Sequence, residues 1–260
     1  MNASISATRS LDFLKLLAHD VRWNILALLS CSDYCVQDIA RHLAQPQNLV
    51  SYHLKQLRNH HIVTERRSSA DSRDIYYSLD FTTLQMLYAI AADSLHPALR
   101  KLDTTVEEAI AHLPAAKIRV LFLCSENSAR SQMAEALMHH LSRGKVDAVS
   151  AGSHPSSVHP YAIRVMAAIE IDISGYRSKH FDEFLGQSFD YIITLCDRVV
   201  EVCPTFPADP ERIHWSFPNP ATVEGTEEER YRAFEQSSLQ LAQRIRLLFT
   251  LIERQKGNIQ

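Results

Sequence analysis

A cysteine, an arginine and a serine stand at a spacing that suits oxyanion chemistry. Cys124, five intervening residues, Arg130 and Ser131 lie within KIRVLFLCSENSARSQMAEALMHH. An apolar strand pattern at 118–123 runs into Cys124, and an amphipathic helix follows from residue 131. The loop between them (Ser125, Glu126, Asn127, Ser128, Ala129) therefore closes on a helix N-terminus, where backbone N–H groups and the helix dipole favour an anion. Arg130 offers a planar fork to two oxygens. The same positive field stabilises Cys124 as the thiolate, the form that attacks phosphorus or arsenic. Ser128, Ser131 and the loop amides are the expected supporting donors. The loop has no glycine, so Asn127 is the residue best able to take a left-handed conformation. Glu126 is expected to face solvent, because an inward carboxylate would oppose an anion. The competing reading is a buried cysteine at a strand end beside an unrelated surface arginine.

Two further thiols fall downstream. Cys196 follows YIITL, and Cys203 comes seven residues later. The segment between them, CDRVVEVC, is charged and lacks apolar periodicity, which predicts a mobile loop. The pair reads as redox partners of Cys124, or else as unrelated residues or a metal pair.

These segments, with SQMAEAL and IHWSFPNPA, resemble the low-molecular-weight protein tyrosine phosphatase fold over about 117–254, and within it the arsenate reductase branch. The resemblance implies a thiol cascade. Cys124 attacks arsenate, Cys196 attacks the Cys124 sulfur and releases arsenite, and Cys203 takes over the disulfide. An external, thioredoxin-like dithiol then reduces it, with no bound cofactor. Two departures bear on turnover. Asn219 stands where the family has an aspartate that protonates the leaving oxygen, and losing a general acid costs about 10²–10⁴-fold. Ala129 stands where some reductases carry another cysteine. The absence of an aromatic residue after Pro220 argues against aryl phosphate, so a tyrosine phosphatase is the weakest reading.

The elements that must hold these residues read as two domains. The chain has 260 residues and 46% hydrophobic content, enough for two cores. There is no run of eighteen apolar residues and no apolar signal-peptide centre at the N-terminus. Five cysteines, an odd number, suit thiols in a reducing cytoplasm better than a disulfide framework. The C-terminal half alternates strand and helix patterns, predicting a parallel sheet flanked by helices with its site at strand C-termini. Predicted strands lie at 118–123, 148–150, 191–195 and 213–216; predicted helices start at 131, span 160–169, and run from 227 to about 253.

The first ninety-odd residues are mainly helical by pattern. Leu11, Leu14, Leu17 and Ala18 share one helical face, and Ile25, Leu26, Leu28 and Leu29 continue beyond His19-Asp20. Val36, Ile39, Ala40 and Leu43 form a short helix, Gln45-Pro46 breaks it, and Val50, Leu54 and Leu57 mark the next. Two short helices about a brief break match a helix-turn-helix, and IVTERRSSADSRDIYYSL reads as a hairpin wing before a helix at 81–92. This half, from about 11 to 92, resembles the ArsR-type winged-helix repressors.

The resemblance implies double-stranded operator DNA as partner and a homodimer spanning two half-sites. Gln47, Asn48, Ser51, Tyr52 and Lys55 are left outward on the second helix, able to meet base edges and phosphates, with Arg66, Arg67 and Arg73 on the wing. Net charge does not announce nucleic acid: the chain carries −3, and residues 1–97 hold nine basic and nine acidic side chains. The competing reading is a helical interaction domain. Cys35 falls at the first arsenite-binding thiol position of such repressors and Gln37 stands where the second would be; Cys31, four residues earlier, is either another soft ligand beside Cys35 or, like it, a small, partly buried residue. His42, His53, His60 and His61 show no metal-ligand spacing.

The expected domains are 1–97 (winged helix), 98–116 (helical connector, either dimerising or coupling) and 117–260 (reductase-like). Two function classes stay open. One is a transcriptional regulator of arsenic resistance that senses arsenate, phosphate or arsenite; the other is a working arsenate reductase that also represses its own operon.

Overall fold

The computed structural model describes residues 2–96, 110 and 118–257. The chain divides into two compact units, Met1–Thr104 and Thr105–Gln260. Apart from Ile110, the expected connector at 98–116 lies outside the described residues. Among them no helix is long and apolar enough to cross a membrane.

The first unit contains α1 (Asn2–Leu17), α2 (Asp20–Leu29), β1 (Tyr34–Cys35), α3 (Val36–His42), α4 (Gln47–Asn59), β2 (Val63–Arg67), β3 (Ile75–Leu79) and α5 (Phe81–Leu95). His19 starts α2 by accepting from the Val21 amide, and Asp80 starts α5 by accepting from Thr83. Between α3 and α4 the chain turns through Ala44 at φ +49°, next to the predicted break. β2 and β3 pair antiparallel, Val63 opposite Leu79, as the predicted wing. β1 joins as a third strand against β3, too short to show in the sequence pattern.

Ile25, Leu29, Ile39, Val50, Leu54, Leu57 and Ile62 are fully buried in this unit's core. Full burial of a side chain this size contributes about 1.5–3 kcal/mol. The predicted face of α1 needs correction. Phe13, Leu16 and Leu17 turn inward, whereas Leu11 is 51% exposed, Leu14 is 38% exposed and Ala18 lies outside the core. Phe13 docks edge-on against Tyr88 of α5 at 5.3 Å, and that ring contact fixes the rotation of α1.

The second unit contains β4 (Ile118–Cys124), α6 (Arg130–Leu141), β5 (Val146–Gly152), α7 (Pro160–Ala167), β6 (Tyr191–Thr194), α8 (Asp197–Val202), β7 (Glu211–His214) and α9 (Glu227–Gly257). Its four strands are parallel in the order β5-β4-β6-β7. A parallel strand covered on both faces must be apolar throughout, and six of the seven residues of β4 are buried. α9 presents Phe234, Leu241, Ile245, Leu248 and Ile252 at helical spacing to the same core. α7 stops short of the predicted end because the chain turns left-handed at Glu170, φ +63°. The segment expected as a mobile loop between Cys196 and Cys203 is a helix, α8. It forms despite weak periodicity because its first residue, Asp197, is tied down by distant side chains. Cys124, Gly152, Thr194 and His214 end the four strands on one edge, so everything built beyond that edge converges.

Candidate functional site

The loop after β4 is shaped from outside. The carbonyls of Ser125, Glu126 and Ser128 accept from the amides of His154, Ser156 and His159, at 2.8, 3.0 and 2.8 Å. The Asn127 carbonyl accepts from Ser178 Oγ at 2.6 Å and Gln132 Nε2 at 2.9 Å. In a planar trans peptide the following N–H points opposite to the carbonyl, so the amides of residues 126–129 turn inward. Asn127 N reaches Cys124 Sγ at 3.2 Å. No backbone–backbone hydrogen bond among the described residues uses the amides of Glu126, Ser128 or Ala129 as donors. Ala129, the residue before α6, has no side-chain oxygen to cap the helix, so the first-turn donors of α6 stay available. This is an anion nest with a thiol at its floor.

Asn127 is fully buried and takes the expected left-handed conformation, φ +48°. Its Nδ2 donates to Ser131 and Ser150, and its Oδ1 accepts from the Lys179 amide at 2.7 Å. Ser131 Oγ lies 2.9 Å from Cys124 Sγ. Beneath the loop a largely buried ion pair joins Lys179 to Glu135 at 3.0 Å. Gly152 permits the close approach of β5: a Cβ there would lie 2.6 Å from Ser125 O and 2.8 Å from Asn127 N. Ser150, Gly152, Ser178 and Lys179 have no site role in the sequence reading. Only tertiary contact brings them to the loop.

Glu126 is exposed, as expected. Arg130 is 7% exposed; its Nη1 donates to Phe217 O at 2.9 Å and to Leu195 O at 3.3 Å. Among the described residues no hydrogen bond engages its Nη2 or Nε. The fork is thus held from behind by the chain beside Cys196 and by the loop leading to Asn219.

Cys196 is buried, and its Sγ lies 3.2 Å from Ser125 Oγ, which brings the second thiol to the rim of the loop. Burial pushes the Cys196 thiol up; Arg130 and the Ser125 hydrogen bond pull it back, while Cys124 adds to the rise. Cys203 sits half-buried at the other end of α8, with Arg212 Nη1 donating to its Sγ at 3.3 Å. Burial raises its pKa too, opposed by Arg212. Six residues of helix separate the two thiols. Asn219 cannot act as a general acid, because its amide N–H protons are not acidic, and its Oδ1 accepts from the Ala221 amide at the start of a short 3-10 turn.

In the first unit, Gln47, Asn48, Ser51, Tyr52 and Lys55 are all exposed on α4, opposite the buried Val50, Leu54 and Leu57. On the wing Arg67 is exposed and Arg66 half-buried. Arg73 also points outward, but its fork grips Asp71 in the same turn, and this pairing holds the Asp71 carboxyl down at about 2. Cys35 Sγ donates to Asp38 at 3.0 Å, and Cys31 lies against Ser30 Oγ at 3.6 Å. No hydrogen bond joins these two thiols. No group of three His, Cys, Asp or Glu side chains among the described residues can hold a metal ion.

Known proteins match both units. Residues 119–257 match the family described as low molecular weight phosphotyrosine protein phosphatase, and residues 19–65 match the bacterial regulatory proteins of the arsR family. An arsenate reductase of Halalkalibacterium halodurans is 40% identical over 127 residues, 49% of this chain and 91% of that protein. An arsenate reductase of Oceanobacillus iheyensis is 36% identical over 128 residues, 49% of this chain and 92% of that protein. A solved structure described as an arsenate reductase in the phosphate binding state has 30% identity and a TM-score of 0.43, covering 52% of this chain and 98% of that one. The chain belongs to the low-molecular-weight phosphotyrosine protein phosphatase family, and carries an arsR-family helix-turn-helix ahead of that domain.

Proposed function

We propose that this chain is a DNA-binding regulator of arsenic resistance whose second unit binds arsenate and reports it through thiol chemistry. The observation that carries this reading is the nest of inward amides closing over Cys124, with Cys196 at its rim. Arsenate held by the amides and Arg130 is attacked by the Cys124 thiolate, and a hydroxide leaves as water after protonation. Cys196 attacks Cys124 Sγ; the S–As electron pair stays on arsenic, which departs as arsenite. The Cys203 thiolate then attacks Cys196 Sγ, and the Cys124 thiolate is regenerated. In the sensor the Cys196–Cys203 disulfide is the end state that signals; only in the reductase reading below does an external dithiol reduce it and close the cycle.

The helix between the two resolving thiols has a consequence for signalling. Cys196 and Cys203 are seven residues apart, about 10 Å along a helix at 1.5 Å per residue. A disulfide requires Cα atoms within about 7 Å. Oxidation must therefore unwind α8, a change large enough to act as a signal.

The first unit supplies the DNA contacts through α4 and the wing. Leu11 and Leu14 on α1 and Met86 and Ile90 on α5 are exposed apolar residues on two helices that pack together, which supports a homodimer through that face. Cys35, tied to Asp38, is a poor arsenite ligand, so the response is assigned to the second unit.

A second reading, a working arsenate reductase that also represses, is favoured by the contact of Cys196 with the loop that holds Cys124. Counting arsenite released per chain, with arsenate and a dithiol-recycling system, separates the two. A regulator is expected to release about one arsenite per chain before stalling; many turnovers would reject the pure sensor.

A further inference from the structure

The two ends of α8 are held very differently, and the relay does not by itself use the groups that hold them. At the N-terminal end Asp197 is 1% exposed and its Oδ1 accepts from Ser216 Oγ at 2.7 Å. His214 Nε2 lies 3.2 Å from the same oxygen, and His214 Nδ1 lies 2.8 Å from Thr194 Oγ1. All four side chains are buried, where a satisfied polar network specifies one geometry. Val199, two residues on, is fully buried. The C-terminal end contrasts: Val200 is 40% exposed, Val202 is 51% exposed, and Cys203 is half-buried.

We propose that Asp197, His214 and Ser216 are positioning residues for the thiol relay. They pin the first turn of α8, holding Cys196 beside Cys124, so that the Cys203 end makes the movement. The proposal rests on the relay reading above. When the Cys203 thiolate attacks Cys196 Sγ, the bond to Cys124 Sγ breaks and its electron pair returns to Cys124. For that transfer Cys203 travels to a fixed Cys196 as the outer turn unwinds. The network is built from the ends of β6 and β7, which do not move with the helix, so the anchor survives the unwinding.

The test uses the full chain in a Cys203→Ser background, where the Cys124–Cys196 disulfide accumulates because the thiol that resolves it in the relay is gone. Disulfide formation is followed by intact mass after adding arsenate, and separately after adding diamide, a thiol oxidant that is not an oxyanion. Ser216→Ala is expected to slow both reactions by about tenfold or more, since small misplacements of reacting groups cost up to about a hundredfold. Phosphate affinity should stay within twofold, and Ser216→Thr, which keeps the hydroxyl, should restore the rate. Asp197→Asn, nearly isosteric, provides the same reading if Ser216→Ala does not fold. Equal rates in parent and variants with both reagents would overturn the proposal. If arsenate gives no disulfide in the parent, while diamide does so in a Ser216-dependent way, the relay reading fails and the positioning role stands.

Discussion

Cys35 and Cys196 occupy the same local position in the two units. Each is the extended residue capping a short helix, with φ/ψ of −79/163° and −152/149°. Each has an aspartate in the first turn of that helix, Asp38 or Asp197, and burial raises the pKa of both thiols. What separates them is where the aspartate points. Asp38 accepts a hydrogen bond from the Cys35 thiol, which favours the protonated sulfur and adds to the rise. Asp197 is turned into the network with His214 and Ser216, leaving Cys196 to meet Ser125 and the field of Arg130, both of which favour the thiolate. The same cap motif gives a locked thiol in one unit and a poised thiol in the other. Tertiary partners, not local sequence, decide which.

The largest expected effect sets the two cysteines directly against each other. Cys196→Ser should abolish arsenite release, since no thiolate remains to displace arsenic from Cys124, whereas Cys35→Ser should leave it unchanged; arsenite quantified in a single turnover reads both. Comparable losses would mean that the first unit takes part in the chemistry. Next, Asn219→Asp adds a proton donor at that position, and the rate of arsenite release in a single turnover should rise by about 10²–10⁴-fold. No change would remove position 219 from the reaction.

Smaller effects sharpen the electrostatic contrast. A thiol whose pKa is raised is mostly protonated at neutral pH, so its alkylation rate climbs as pH rises toward that pKa. Ser125→Ala removes a bond that favours the Cys196 thiolate. Its alkylation profile should move to higher pH, with about a fivefold lower rate at pH 7. Asp38→Asn acts with the opposite sign: removing the carboxylate should move the Cys35 profile to lower pH, with about a threefold gain, because burial remains the main cause of the rise. Site-resolved mass spectrometry measures both. Parallel shifts in the same direction would contradict the assigned hydrogen-bond roles.

What was legible in the sequence was local. An apolar strand running into Cys124, a helix starting at about residue 131 and a single residue suited to a left-handed turn are properties of neighbouring residues; the helix begins at Arg130 and Asn127 takes φ +48°. Helix α4 was legible for the same reason, since Val50, Leu54 and Leu57 repeat at helical spacing and are fully buried. What escaped depends on distant partners. α8 has too few residues for a periodic pattern and is held by Ser216, nineteen positions away from Asp197. Gly152 matters only because β5 brings it against the loop. The inward face of α1 is chosen by Tyr88 on α5, so Leu11 and Leu14 could not be ranked below Phe13 by spacing alone.

In the proposed switch, arsenate chemistry at Cys124 controls the grip of the first unit on DNA. Its most direct test is binding of the reduced full chain to DNA from the promoter of its own gene, by fluorescence anisotropy at fixed salt, with and without arsenate. Arsenate should weaken binding at least about tenfold, a coupling of about 1.4 kcal/mol, and Cys124→Ser should bind DNA normally but lose the response. An undiminished response in Cys124→Ser would contradict this switch.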